Sequence, residues 1–201
     1  MLFRSLVKEG SAEPVLPQLE ALHATLAKHS VQGVAIPYSE WMLGTAYLSA
    51  KRTVDAEKWA RRIVESTKTA KARLLLARVF LAKGDIDGAR SELTVLMGNE
   101  SKSLDALHIV VRADWASVKL AQNDIAGALF ESEKALALWP KHTGEYDVRM
   151  LPYIQRIRAD VLAANGQFEE AQRIEDEGWK ASLVYDAPES PTAKRRVMTK
   201  K

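Results

Sequence analysis

Cysteine is absent from all 201 residues. That removes disulfides, thiolate nucleophiles and thiolate metal ligands, and it favours a cytoplasmic setting, because small secreted domains often rely on cross-links. Histidine is scarce, with His23, His29, His108 and His142 the only four. His23 and His29 are six apart, about 120° round a helix rather than on one face, so no metal site is expected. Long apolar runs are missing too. LDALHIVV and LLLARVFLA are the longest apolar stretches, far short of the ~20 residues of a membrane helix. The opening MLFRSLVKEG has no continuous apolar core of the signal-peptide kind, and a soluble, untargeted chain is expected.

Catalytic signatures are equally sparse. No nucleophile elbow, Walker loop or dinucleotide fingerprint occurs. DIDG at residues 85–88 begins like a calcium loop, but the later ligands and the terminal glutamate do not follow. Glu169 with Glu170, and Glu175 with Glu177, are paired acids on an amphipathic helix with no cleft to work in, which reads as a solvated face. The chain is therefore expected to be non-catalytic and free of cofactors.

Charge of one sign is lacking as well, except at the end. The net charge is +3, yet Lys194, Arg195, Arg196, Lys200 and Lys201 supply five positive charges in the last eight residues. Without them, 24 basic side chains face 26 acidic ones over residues 1–193, a balance of −2. Any nucleic-acid contact is thus confined to a basic tail, and no aromatic residues interleave its charges for stacking on bases.

What is present is helical amphipathicity. From Ala70 to Met97 two short helices meet at one tight turn. Leu75, Leu76, Val79 and Phe80 make the apolar stripe of the first, and Ala89, Leu93 and Leu96 that of the second. Gly84 closes the first helix in the left-handed conformation, and Asp85 is placed to cap the second. Before this, residues 1–30 suggest a helix pair: a short helix LFRSLVK, a turn at Gly10 and Ser11, and a helix from about Glu13 to Lys28. Pro14 and Pro17 fit near the start of that second helix, and Leu16, Leu19, Leu22 and Leu26 form its stripe. Residues 31–36 read as a linker.

From residue 37 the pattern recurs. A small residue in each first helix is followed twelve positions later by an alanine opening the second: Gly44 and Ala56, Ala77 and Ala89, Ala116 and Ala128, Ala159 and Ala171. Turn signals KRT, KGD, QND and NGQ lie between the members of each pair. Successive units begin 33, 39 and 43 residues apart, the range of helix-hairpin repeats. Small residues at these positions let two helices cross closely.

These residues resemble the tetratricopeptide repeat (TPR) family. The matching pieces are Leu43, Gly44 and Tyr47; Phe80, Gly84, Ala89 and Leu93; Ala128 with Pro140; and Asn165 through Gln172. The resemblance covers about residues 37–183, and the later units, with YDAPESPTAKR after the last helix, are similar to kinesin light chain repeats. Departures are Lys119 where an aromatic is usual, Arg158 where a leucine is usual, and a first turn without glycine. The resemblance implies an all-α, right-handed helix-hairpin solenoid, a TPR-like superhelix. Four hairpins would span 37–183, the helix pair of 1–30 would pack on them, and 184–201 would be a flexible basic tail.

The resemblance further implies that the first helix of each hairpin lines a concave groove. Carried onto this chain, the groove residues are Tyr38, Trp41, Thr45 and Leu48; Lys71, Leu74, Arg78 and Leu81; Ala113, Ser117 and Leu120; and Tyr153, Arg156 and Asp160. Chaperone-binding relatives hold a C-terminal carboxylate with lysines and asparagines, whereas the equivalents here include Trp41, Thr45, Leu74 and Ser117. Arg78 alone would be a poor clamp, so no such chaperone binding is expected. The implied function is a protein-interaction scaffold or adaptor binding another protein or peptide, with self-association or membership of a larger complex open to its exposed terminal hairpins. The alternative is a ligand- or peptide-sensing regulatory domain of a larger bacterial signalling or transcription regulator. That would require an effector domain, and none is visible in these residues.

Overall fold

The computed structural model describes residues 12–29, 35–98, 106–139, 150–183 and 196–198. Among the described residues the regular structure is nine α-helices and one short 3-10 helix, with no strand. The chain divides into two compact units, Met1–Glu92 and Leu93–Lys201. The expected helix LFRSLVK lies outside the described residues, as does Pro140.

In the first unit a 3-10 turn, Glu13–Val15, leads into α1, Leu16–Lys28. Pro14 and Pro17 occupy first-turn positions, where a missing N–H leaves no helical acceptor unpaired. Leu16 and Leu19 are buried but Leu22 is 45% exposed, so the stripe of α1 is narrower than its leucine spacing predicts. Helix α2, Ala35–Ser49, begins inside the stretch expected to be linker. Pro37 explains this, since its fixed φ and absent N–H suit a first helical turn as well as a loop. Helices α3, Thr53–Thr67, and α4, Ala70–Lys83, follow, and α4 packs beside both α3 and α2. A Cβ added at Gly44 would come 2.9 Å from Leu75 Cδ2 and 3.5 Å from Trp59 Cβ. The position is therefore small because three helices converge on it.

Helix α5, Ile86–Gly98, runs across the division between the units. In the second unit α6, Ala106–Ala121, pairs with α7, Ile125–Leu138, and α8, Met150–Ala164, pairs with α9, Phe168–Leu183. Helix α8 also packs beside both α7 and α6. Ala56, Ala77, Ala89, Ala116, Ala128, Ala159 and Ala171 are all fully buried, at 0% exposure. The twelve-residue pairing read from the sequence thus marks equivalent environments.

The four inter-helix turns share one geometry. Lys51, Gly84, Asn123 and Gly166 have φ of 59°, 78°, 61° and 80°, and each lies seven residues after the small crossing residue. In each turn the next N–H reaches back across the helix end: Arg52 to Tyr47 O, Asp85 to Phe80 O, Asp124 to Lys119 O and Gln167 to Leu162 O, all at 2.9 Å. This is the Schellman closure, which satisfies carbonyls the helix end leaves open. The first turn adopts it without glycine, through Lys51. Asp85 and Asp124 then cap the following helices, accepting from Gly88 N and Gly127 N at 2.9 Å each. Lys119, a departure from the family pattern, donates to Asp124 Oδ2 at 2.8 Å, and this ammonium, with the Gly127 N–H, holds the Asp124 carboxyl below its usual range.

Candidate partner-binding site

In the first unit the spacing of Tyr38, Trp41 and Thr45 places them along one side of α2. The Tyr38 and Trp41 rings stack with centroids 6.1 Å apart and planes 19° from parallel, and Tyr38 is 61% exposed. Thr45 turns its hydroxyl onto its own helix, donating to Trp41 O at 2.8 Å. Hydrogen bonds to α1 come from Ser39 and Tyr47 of α2, and a ring contact comes from Trp59 of α3. His23 Nδ1 and Ser39 Oγ are 2.9 Å apart, the His23 ring stands edge-on to Trp59, and the Tyr47 hydroxyl donates to Glu20. Burial, and after it that hydrogen bond, pushes the Tyr47 hydroxyl up to about 12. On α4, Lys71 is exposed, Arg78 half-buried and Leu74 buried. Leu74 therefore supports this face from beneath.

In the second unit Tyr153 on α8 donates its hydroxyl to Asp114 Oδ1 on α6, which ties the two first helices of these hairpins together. Asp114 is fully buried. Only its place with Arg112 in the mostly apolar run IVVRADWASV hints at a role. Ser117 is partly buried and lies 3.5 Å from Ala113 O. The Arg156 guanidinium Nε lies 3.7 Å from Glu175, whose side chain is 0% exposed. Asp160 is half-exposed, yet the protein surrounding it raises its carboxyl, while Arg196 draws it back.

Arg196 belongs to the expected tail, and it is docked on this hairpin. Its guanidinium meets Glu175 at 2.9 and 2.6 Å and Asp160 at 3.1 and 3.4 Å, and donates to Arg156 O at 3.3 Å. Gln172 reads the tail backbone, donating to Arg196 O at 3.1 Å and accepting from Met198 N at 2.9 Å. Met198 packs on a cluster of Ala159, Leu162, Ala171 and Ile174. The described part of the tail is thus seated, for a reason invisible to local patterning: its partners lie 21 to 40 residues away.

Each hairpin also carries an arginine–glutamate clasp away from its turn. The pairs are Arg62–Glu40 at 2.6 Å, Arg73–Glu92 at 2.8 Å, Arg112–Glu131 at 2.9 Å and Arg156–Glu175 at 3.7 Å. In the last three the glutamate follows the arginine by nineteen residues, a signal present in the sequence but masked by its many charges. Arg158 donates to Leu129 O at 2.9 Å and lies 3.1 Å from Ser132 Oγ, so its departure from leucine serves to join α8 to α7. Among the described residues no group of three or more His, Asp or Glu is placed to hold a metal ion, and no helix is long and apolar enough to cross a membrane.

Comparison with solved structures defines the class. The chain is similar to the nearly identical TPR-like repeats assigned to a kinesin light chain of Podosopora anserina, in a singly substituted form, with a TM-score of 0.63 and 19% identity over 91% of this chain and 92% of that one. It is also similar to BtubC (BKLC) from P. vanneervenii, with a TM-score of 0.61 and 18% identity over 86% of this chain and 75% of that one. No family model and no curated protein matches. The fold is therefore an all-α TPR-like repeat fold.

Proposed function

We propose that the protein is a non-catalytic interaction scaffold or adaptor that holds a partner segment on the first-helix faces of its hairpins. The observation that carries this is the open Tyr38–Trp41 stack: two aromatic rings, one of them 61% exposed, presented side by side on α2. Rigid aromatic surface gives large contact area at little entropic cost, which is what binding anchors need. Lys71 and Arg78 would add charge in the first unit, and Ser117, Tyr153, Arg156 and Asp160 would add polar contacts in the second. Thr45 and Leu74 shape the surface, since one bonds its own helix and the other is buried. A cytoplasmic setting fits the cysteine-free chain.

Affinity capture with an amine-reactive cross-linker tests the reading, because Lys71 is an exposed amine on the proposed face. Cross-links from Lys71 to a captured protein should be reduced at least tenfold by Tyr38→Ala combined with Arg78→Glu, with the melting curve of the variant little changed. Undiminished cross-links would show that partners bind elsewhere.

A further inference from the structure

The seated tail segment is built like a ligand. Arg196 turns inward to two carboxylates, Val197 is 71% exposed, and Met198 turns inward to an apolar cluster. Inward, outward, inward is the period of an extended strand, and Gln172 supplies a donor and an acceptor to the backbone on either side of Val197. Two features make the seat specific. Glu175 is fully buried and takes Arg196 in a two-bond fork, a geometry a lysine cannot reproduce. The apolar cluster is lined by two alanines, Ala159 and Ala171, which leave room for a long flexible side chain such as methionine.

We infer that the α8–α9 face is a receptor for an extended segment of the form Arg-x-Met, and that residues 196–198 are its resident occupant in cis, gating access by any partner segment of the same pattern. The inference rests on this face being a partner-binding surface, and it adds the chemistry of what binds. Charge complementarity supports the choice of occupant: Glu175 and Asp160 bring two negative charges to the seat, Arg156 at 3.7 Å offsets one of them, and Arg196 answers the other. A tethered ligand of this kind presents itself at about millimolar effective concentration. An external segment with a dissociation constant of ~10–100 μM is therefore held off about 10–100-fold while the tail is seated.

The test uses a fluorescein-labelled peptide of sequence TAKRRVMTKK and the full chain. The Arg196→Glu protein, whose own tail is repelled from the seat, should bind the peptide at least tenfold more tightly than wild type. Binding to Arg196→Glu should weaken with added salt. Adding Gln172→Ala should weaken it several-fold, because that change removes the backbone-reading amide, together with its bond to Asp176, from a partly exposed position and spares the buried carboxylate. A peptide carrying the equivalent of Met198→Ala should also bind more weakly. Equal affinity for wild type and Arg196→Glu, or no binding to either, would overturn the inference. So would wild-type dimers that Arg196→Glu dissolves, since the tail would then occupy a second copy. Either failure leaves the Tyr38-dependent capture in the first unit standing as a separate result, and loss of that capture alone would leave this peptide seat intact.

Discussion

Lys51, Gly84, Asn123 and Gly166 hold the same place in four turns, and only two of them are glycine. A side chain in the left-handed region costs about 1–2 kcal/mol. Gly84→Ala should accordingly lose about 1 kcal/mol, and Lys51→Gly should gain up to about 1 kcal/mol, both read from urea unfolding midpoints. Arginine–glutamate pairs differ in value according to burial. Arg112 and Glu131 are each 11% exposed at the side chain, so Glu131→Ala takes a carboxylate away from a buried guanidinium and should cost about 3 kcal/mol. Arg173 and Glu177 are 57% and 45% exposed, and Glu177→Ala should change stability by less than about 0.5 kcal/mol. Equal losses from the two alanine variants would mean that burial does not set the worth of these pairs.

At the scale of elements, α1 meets its neighbours through a histidine whose charged form burial disfavours. Desolvation lowers the His23 pKa from 6.5, Glu40 opposes that shift, and Arg62 reinforces it. The unfolded chain therefore takes up a proton first, so this contribution to stability is complete above pH 6.5, declines as pH falls below it, and levels off beneath the folded value. Hydrogen exchange of α1 amides should quicken over that window, and His23→Gln should abolish the pH dependence. A lower step belongs to the joint between α3 and α4. Lys83, and then Arg61, lower the Glu57 carboxyl from 4.5, so its stabilisation is present above pH 4.5 and lost as acid passes the folded value. Exchange of α4 amides should respond there rather than near neutrality. The helices themselves were legible in the sequence, because apolar spacing and turn residues are local properties. The clasps and the docking of Arg196 were not, because they depend on which charged side chains the fold brings together from distant positions. Leu22 shows the same limit: its spacing matches the buried leucines of α1, and only the neighbours of α1 decide that it stays exposed.

For the whole molecule, seven fully buried alanines and Gly44 set how closely successive helices approach. Ala77→Leu should destabilise by roughly 1–3 kcal/mol through overpacking. Because repeats support only their neighbours, it should also broaden the unfolding transition more than Ala159→Leu does in the last hairpin. Calorimetric and spectroscopic midpoints that stay coincident in both variants would refute that ranking. The shared turn geometry bears finally on how such a chain can be rebuilt. Deleting one residue between a left-handed turn position and the alanine five places on would rotate the second helix by about 100° and swing that alanine out of the crossing. Unit spacings of 33, 39 and 43 residues arise instead in the connections between hairpins. Grafts, inserted epitopes and shuffled modules therefore belong at those junctions, with every hairpin transplanted whole.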